Sequence, residues 1–341
     1  MSPTTLVHHS GTREHPIQAE PGRLRERAAP TTNELAGEQS DLATAARCVA
    51  WASNPHGWAV FTLFFGSGRN PCVTPKGLDS VPAMVVARQS IYDVDGLTMV
   101  GHLARPDGEG PWPAVLIGHD GIGLEDYQRG RADILADRGY IVLAMDYHAG
   151  RTYFGEPEAM LARVMPLLAD PGRMRAIGRA ALEVLLAEPG ADRERLAMVG
   201  FGAGGRIVLE LAGTGTHVKA LAAIHPALPA TTHALEWGSV SGAFLFGTGS
   251  EDPLCTPEQL LAFTAVLQDA GVDWRVNVYG GAQHAFWAAP MQPGDAADRP
   301  EPAQLATVPG VGHHPLHATR AWSAVLDLLE ETMAPDPRGR A

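Results

Sequence analysis

Thiols are scarce in this chain: Cys48, Cys72 and Cys255 are the three cysteines among 341 residues, and no two share C-x-x-C spacing. That scatter speaks against a disulfide framework and against a thiolate metal cage, and makes a reducing, cytoplasmic compartment the expectation. Basic charge is also in short supply. The 26 Lys and Arg face 38 Asp and Glu, and the formal net charge of −12 at pH 7 repels nucleic acid and anionic membrane surfaces. Long apolar runs are missing as well. The longest, "WAVFTLFF" at 58–65, falls far short of the roughly 20 residues needed to cross a bilayer. At the N-terminus no basic stretch precedes an apolar run, so a secretory signal is not expected.

What the chain does have is 45% hydrophobic residues, enough for a substantial core. Residues 1–83 are a patchwork of Pro, Arg, Thr and His without sustained periodicity, read here as a disordered extension, or as upstream sequence if Met84 is the real start. From Met84 the character changes. "MVVARQSIYDVDGLTMVGHLARP" alternates as two strands around Asp95-Gly96, and apolar strand-like runs then alternate with helical segments. Strands are expected at 113–119, 140–148, 195–201, 218–225, 242–249 and 274–280. Helices are expected near 127–138, across 156–187, after Gly202, at 257–270 and at 318–331. Most of these strands are unbroken apolar runs, which suits a parallel sheet covered on both faces. The expected architecture is a doubly wound, mostly parallel α/β sheet over 84–335, with 336–341 a flexible tail.

One stretch carries two meanings. In "MVGFGAGGRIVLELAG", Gly200, Gly202 and Gly205 spell G-x-G-x-x-G, the phosphate-binding turn of dinucleotide folds. The same letters spell G-x-Nu-x-G, the strand-to-helix elbow that presents a nucleophile in α/β-hydrolases, with Gly202 at the nucleophile's place. A dinucleotide site calls for an acid about 20 residues further on, and "AAIHPALP" supplies none. The elbow reading calls for an acid and then a histidine downstream. Both are there: Asp252 in "LFGTGSEDPL" and His284 in "VYGGAQHAFW", each on a loop after a strand. Alone, Asp252 is a plausible helix start and His284 a loop residue; their joint order favours the back half of acyl-transfer machinery.

From about Met84 to Met333 the chain resembles the dienelactone hydrolase family of α/β-hydrolases. The segments "GHLARP", "GHDGIGL", "RADILADRGYIVLAMDYH", "GFGAGGR", "GTGSEDP", "GVDWRVNVYGGAQHAF" and "GVGHHPLHATRAWSAVLDLLEE" fall in the family's order. The resemblance implies a small-molecule carbonyl site with Asp252 and His284 as acid and base. It also implies an oxyanion hole from the amides of Ala203 and Gly121, with Asp120 as an acidic residue near the nucleophile. The family's elbow has Cys after "GF"; this chain has Gly202, and no thiol or hydroxyl lies within two residues of it.

Glycine at an elbow relieves the strain of positive φ and deletes the attacking atom. Three readings follow: an enzyme in which His284 acts directly as general base on a small lactone, ester or related carbonyl compound; a non-catalytic homologue that binds a small ligand or partner; and a nucleotide-binding oxidoreductase. The expected partner is a small molecule, with no nucleic acid and no membrane. The dyad calls for no metal and no organic cofactor. His119, Tyr147, Arg151 and Trp287, with Trp112, His148 and Tyr153, are candidates to wall a pocket or meet a substrate carboxylate, against core packing or a solvated arginine. Cys255 is expected to pack the following helix, and His313, His314 and His317 to lie on a surface loop without completing a metal site.

Overall fold

The computed structural model describes residues 84–228, 237, 240, 242–287 and 309–333. The expectations for 1–83 and 336–341 lie outside the described residues. The alternating segments after Met84 form β1 (Val85–Val94) and β2 (Leu97–Pro106), an antiparallel hairpin closed by Asp95-Gly96. Then come β3 (Trp112–Gly118), α1 (Asp126–Asp137), β4 (Ile141–Met145), α2 (Pro157–Leu168) and α3 (Pro171–Ala187). The second half holds β5 (Ala191–Phe201), α4 (Ala203–Ala212), β6 (Ala220–Ile224), β7 (Ala243–Gly249), α5 (Pro257–Asp269), β8 (Asp273–Tyr279) and α6 (Pro315–Met333). All eight strands join one sheet in the order β1-β2-β4-β3-β5-β6-β7-β8. β2 meets β4 antiparallel, and every pair from β4 to β8 is parallel.

The unbroken apolar runs are explained by two covered faces. Within β3, Leu116 joins the core formed with Val164 of α2, Ile177 of α3, Ile207 of α4 and Phe263 of α5. Its neighbours Val115 and Ile117 point the other way, into the core formed with Leu135 of α1 and Leu328 of α6. Period-2 alternation therefore persists, but both sides are apolar. β8 departs from this pattern. It is an edge strand, paired only with β7, and of its residues only Tyr279 is buried.

Helix ends follow local chemistry. Thr256 accepts the Gln259 N–H while the Gln259 side chain returns to the Thr256 N–H, a reciprocal cap for α5. α6 begins at Pro315, three residues before the expected Ala318, because proline suits a first turn whose N–H groups lack intrahelical partners. α4 has Gly202 as its N-cap, so no capping side chain covers its first-turn amides. Among the described residues no helix is long and apolar enough to cross a membrane.

Candidate active site

The carboxyl ends of β3, β5, β6, β7 and β8 bring Asp120, Gly202, His225, Asp252 and His284 to one edge of the sheet. An open α/β sheet keeps its ligand sites at that edge. The loops after β7 and β8 are lashed together: the Ser250 N–H donates to the Tyr279 carbonyl and the Glu251 N–H to the Ala282 carbonyl, each at 2.9 Å. That pairing sets His284 Nδ1 3.1 and 3.0 Å from the two carboxylate oxygens of Asp252. Asp252 is 4% exposed, and its Oδ1 also accepts the Leu254 N–H at 2.8 Å. A carboxylate held in this way orients the imidazole. With Nδ1–H donated to Asp252, the lone pair resides on Nε2, the nitrogen left for a base.

Gly202 takes φ 52° and ψ −119° between β5 and α4, a conformation costing about 1–3 kcal/mol for residues with a Cβ. Its N–H donates to the Ile224 carbonyl, and the Gly204 N–H to the His119 carbonyl, both at 3.0 Å. A Cβ at Gly204 would stand 2.2 Å from the His119 carbonyl oxygen, so this glycine exists to let α4 close against the end of β3. The glycine-rich turn serves strand-to-helix packing, and the dinucleotide reading has no support in this sheet order.

A Cβ added to Gly202 would meet His225 Cε1 at 3.1 Å, His225 Nδ1 at 3.4 Å and Asp120 Cβ at 3.4 Å. His225 follows β6, and the sequence reading did not single it out. It has φ 41°, its N–H donates to the Gly247 carbonyl at 2.6 Å, and its ring meets the His284 ring edge-on with centroids 4.7 Å apart. The ring is fully buried, and among the described residues neither nitrogen has a hydrogen-bond partner. Burial, reinforced by the nearby His284 and Arg131, holds its pKa well below the ordinary histidine value. The available signal was its place at the end of an apolar strand.

Asp120 borders the elbow from the other side. Its Oδ1 accepts the Ile122 N–H at 2.9 Å and its Oδ2 accepts the Tyr127 hydroxyl at 2.5 Å. Burial pushes its carboxyl pKa up, and the bonds from Tyr127 and Ile122 oppose that shift. Gly121 comes next in the chain, with its carbonyl accepting His148 Nε2–H at 3.0 Å. Ala203 opens α4, where a first-turn amide has no acceptor within the helix.

The other pocket candidates have defined neighbours. The His119 ring lies flat on Tyr147, centroids 3.7 Å apart, and its Nδ1–H donates to the Asp120 carbonyl at 2.6 Å. The Tyr147 hydroxyl donates to the His119 and Asp120 carbonyls at 2.9 and 2.6 Å. Both residues are fully buried and brace the β3 loop. Trp287 is buried against Phe201, centroids 3.5 Å apart, with the Arg131 guanidinium 3.6 Å over its ring. Arg151 pairs with Glu156 in solvent at 2.7 Å and covers Tyr153. Trp112 begins β3, at the opposite end of the strand from the site.

His148 is buried, which pushes its pKa down to about 3. Cys255 is buried and its thiol is pushed up to about 11, which leaves it unreactive. His313 Nδ1–H donates to the Phe286 carbonyl at 3.1 Å, and His317 lies in the first turn of α6 rather than on a loop. Among the described residues no three His, Cys, Asp or Glu group as metal ligands.

A mostly parallel sheet with an elbow after β5, then an acid after β7 and a histidine after β8, defines an α/β-hydrolase fold. A model of the dienelactone hydrolase family matches residues 99–333, and the chain belongs to that family. Of solved structures, m3DLH is 32% identical with TM-score 0.62, the match covering 73% of this chain and 99% of that one. A dienelactone hydrolase-like promiscuous phosphotriesterase from metagenomic libraries is 28% identical with TM-score 0.64 and the same coverage. A Bradyrhizobium sp protein named "Probable 2-oxo-3-(5-oxofuran-2-ylidene)propanoate lactonase" is 25% identical over 207 residues, 56% of this chain and 80% of that one.

Proposed function

We propose that this chain hydrolyses a small lactone, ester or related carbonyl compound in a single displacement by water, with His284 as general base and no acyl-enzyme. The observation that carries the reading is the Asp252–His284 pair, complete beside an elbow with no side chain. His284 Nε2 takes a proton from water as the water oxygen bonds to the carbonyl carbon. The carbonyl oxygen becomes an oxyanion, which the Ala203 and Gly121 amides and the uncapped start of α4 are suited to stabilise. Its collapse breaks the bond to the leaving oxygen, which receives the proton back from His284. A lactone yields one hydroxy acid, an ester an acid and an alcohol. Asp252 stabilises the transient imidazolium. Family membership supports hydrolysis, and the names of the relatives, a lactonase and a phosphotriesterase, are those of hydrolytic activities.

Gly202 also favours a second reading, a homologue that binds a small ligand without turning it over. An assay of wild type, His284→Ala and Gly202→Cys on activated esters and unsaturated lactones separates the two. Activity that vanishes in His284→Ala supports the water mechanism. A silent wild type beside an active Gly202→Cys points to a binding role or to a substrate outside the panel.

A further inference from the structure

We propose that His225 and His284 together hold the attacking water at the Gly202 elbow, which makes His225 a catalytic residue of the hydrolysis. This inference rests on the hydrolytic reading above. Its first support is position. The Cε1–Nδ1 edge of His225 is the nearest side-chain surface to the point from which a nucleophile at 202 would branch, and His284 lies against the same ring.

The second support is the ring's unmet hydrogen bonds. A neutral imidazole carries one N–H and one lone pair, and His225 buries both without a partner among the described residues, at a cost of about 1–3 kcal/mol for each unsatisfied group. Phe286 and Trp287 flank it, with ring centroids 5.9 and 6.1 Å away, and neither offers an acceptor to its N–H. Gly202, which has no side chain, borders the Cε1–Nδ1 edge of the ring, and the water proposed there meets that demand.

Backbone strain is the third. His225 holds φ 41°, a left-handed conformation uncommon for a residue with a side chain, and such residues cluster at functional sites. Gly202 and His225 also fit each other: any side chain at 202 would begin 3.1 Å from His225 Cε1, closer than ordinary van der Waals contact. In the step itself, one water proton passes to His284 Nε2 and the water oxygen attacks the carbonyl carbon. The leaving oxygen then takes that proton. His225 contributes a hydrogen bond that orients the water, and exchanges no proton.

The test pairs a high-resolution crystal structure with kinetics. A water within about 3.2 Å of a His225 ring nitrogen and of His284 Nε2, and absent from Gly202→Ala, is the expected result. His225→Phe should lower kcat by roughly 100-fold with little change in KM or Tm, and His225→Gln, which keeps a donor and an acceptor, should recover about tenfold. Gly202→Ala should lower kcat by a similar factor and lower Tm as well, because its Cβ is strained at φ 52° and meets the His225 ring. An elbow without that water overturns the proposal. So does His225→Phe keeping kcat within about threefold while His284→Ala is dead, and in that case the hydrolytic reading stands. An acyl group found on His225 in quenched turnover also overturns it, because the ring would then be the nucleophile. A wild type no faster than His284→Ala ends the hydrolytic reading and the catalytic role of His225 with it.

Discussion

Asp252 clasps His284 with both carboxylate oxygens, at 3.1 and 3.0 Å from Nδ1, while its Oδ1 also accepts the Leu254 N–H. Asp252→Asn preserves the shape but not the proton logic. With its oxygen kept toward the Leu254 N–H, the amide NH2 takes the place of Oδ2, 3.0 Å from Nδ1, and competes there with the oxygen at 3.1 Å. That competition favours the tautomer with its proton on Nε2, and the neutral amide no longer stabilises the imidazolium, so the base is weakened. We expect kcat to fall about 10³- to 10⁴-fold with the fold intact by circular dichroism. Full activity would show that His284 is not oriented by this carboxylate.

Gly204 stands where backbone meets backbone. An added Cβ would lie 2.2 Å from the His119 carbonyl oxygen, which cannot swing aside as a side chain would. Gly204→Ala should destabilise the protein by about 3 kcal/mol in urea titration, or leave no soluble product. Gly130, inside α1 with nothing within 4 Å of its added Cβ, is the matched control. Gly130→Ala should stabilise by about 0.5–1 kcal/mol.

Glu210 is fully buried in α4 and accepts from Arg206 Nε and Nη2 at 2.9 and 2.7 Å and from Arg175 at 3.1 Å. Arg206 Nη1 in turn donates to the Leu228 carbonyl at 2.8 Å, which holds the segment after His225. Glu210→Ala leaves a buried guanidinium without its anion and should cost about 3–5 kcal/mol. The double replacement Arg206→Met with Glu210→Leu should cost less than Glu210→Ala alone. The reverse order of stabilities would mean that the ion pair is not the stabilising unit.

His148 and His225 are both kept neutral by burial, the former with its pKa pushed down to about 3 and the latter well below the usual range. The unfolded chain protonates the same rings near pH 6.5. A depressed folded pKa adds stability above the unfolded value, and that stability drains away as pH falls toward the folded one. Between pH 6 and pH 5 each histidine should therefore contribute a loss of up to about 1.4 kcal/mol per pH unit. Urea midpoints at several pH values read the slope, and His148→Phe should make it shallower. A flat profile from pH 7.5 to 5 would contradict the buried neutral state of both rings.

Much of the architecture was legible without coordinates. The apolar runs at β3 to β7 and the amphipathic helices depend on neighbours one to four residues apart, so local pattern displays them. The glycines around 202 marked the elbow, and the order of Asp252 and His284 behind it marked the dyad, because chain order survives folding. His225 was hidden for the opposite reason. "AAIHPALP" says nothing about which strand lies beside β5, and only the β5–β6 pairing sets that histidine against Gly202. The packing of Trp287 and Tyr147 was hidden in the same way, since an aromatic near a loop can line a cleft or fill a core, and the choice belongs to its distant neighbours.

By itself, then, the sequence determined the alternating α/β pattern, the acidic net charge, the elbow without a nucleophile and the order of acid and histidine. The tertiary structure decided what converges on that elbow, His225 with two nitrogens unpartnered among the described residues and Asp120 tied to Tyr127, and it turned Arg151 out into solvent. The division has one physical cause. Periodicity and turn chemistry act over a few residues, whereas a site is assembled from strand ends far apart in the chain, and burial, strain and orphaned polar atoms exist only once those ends have packed.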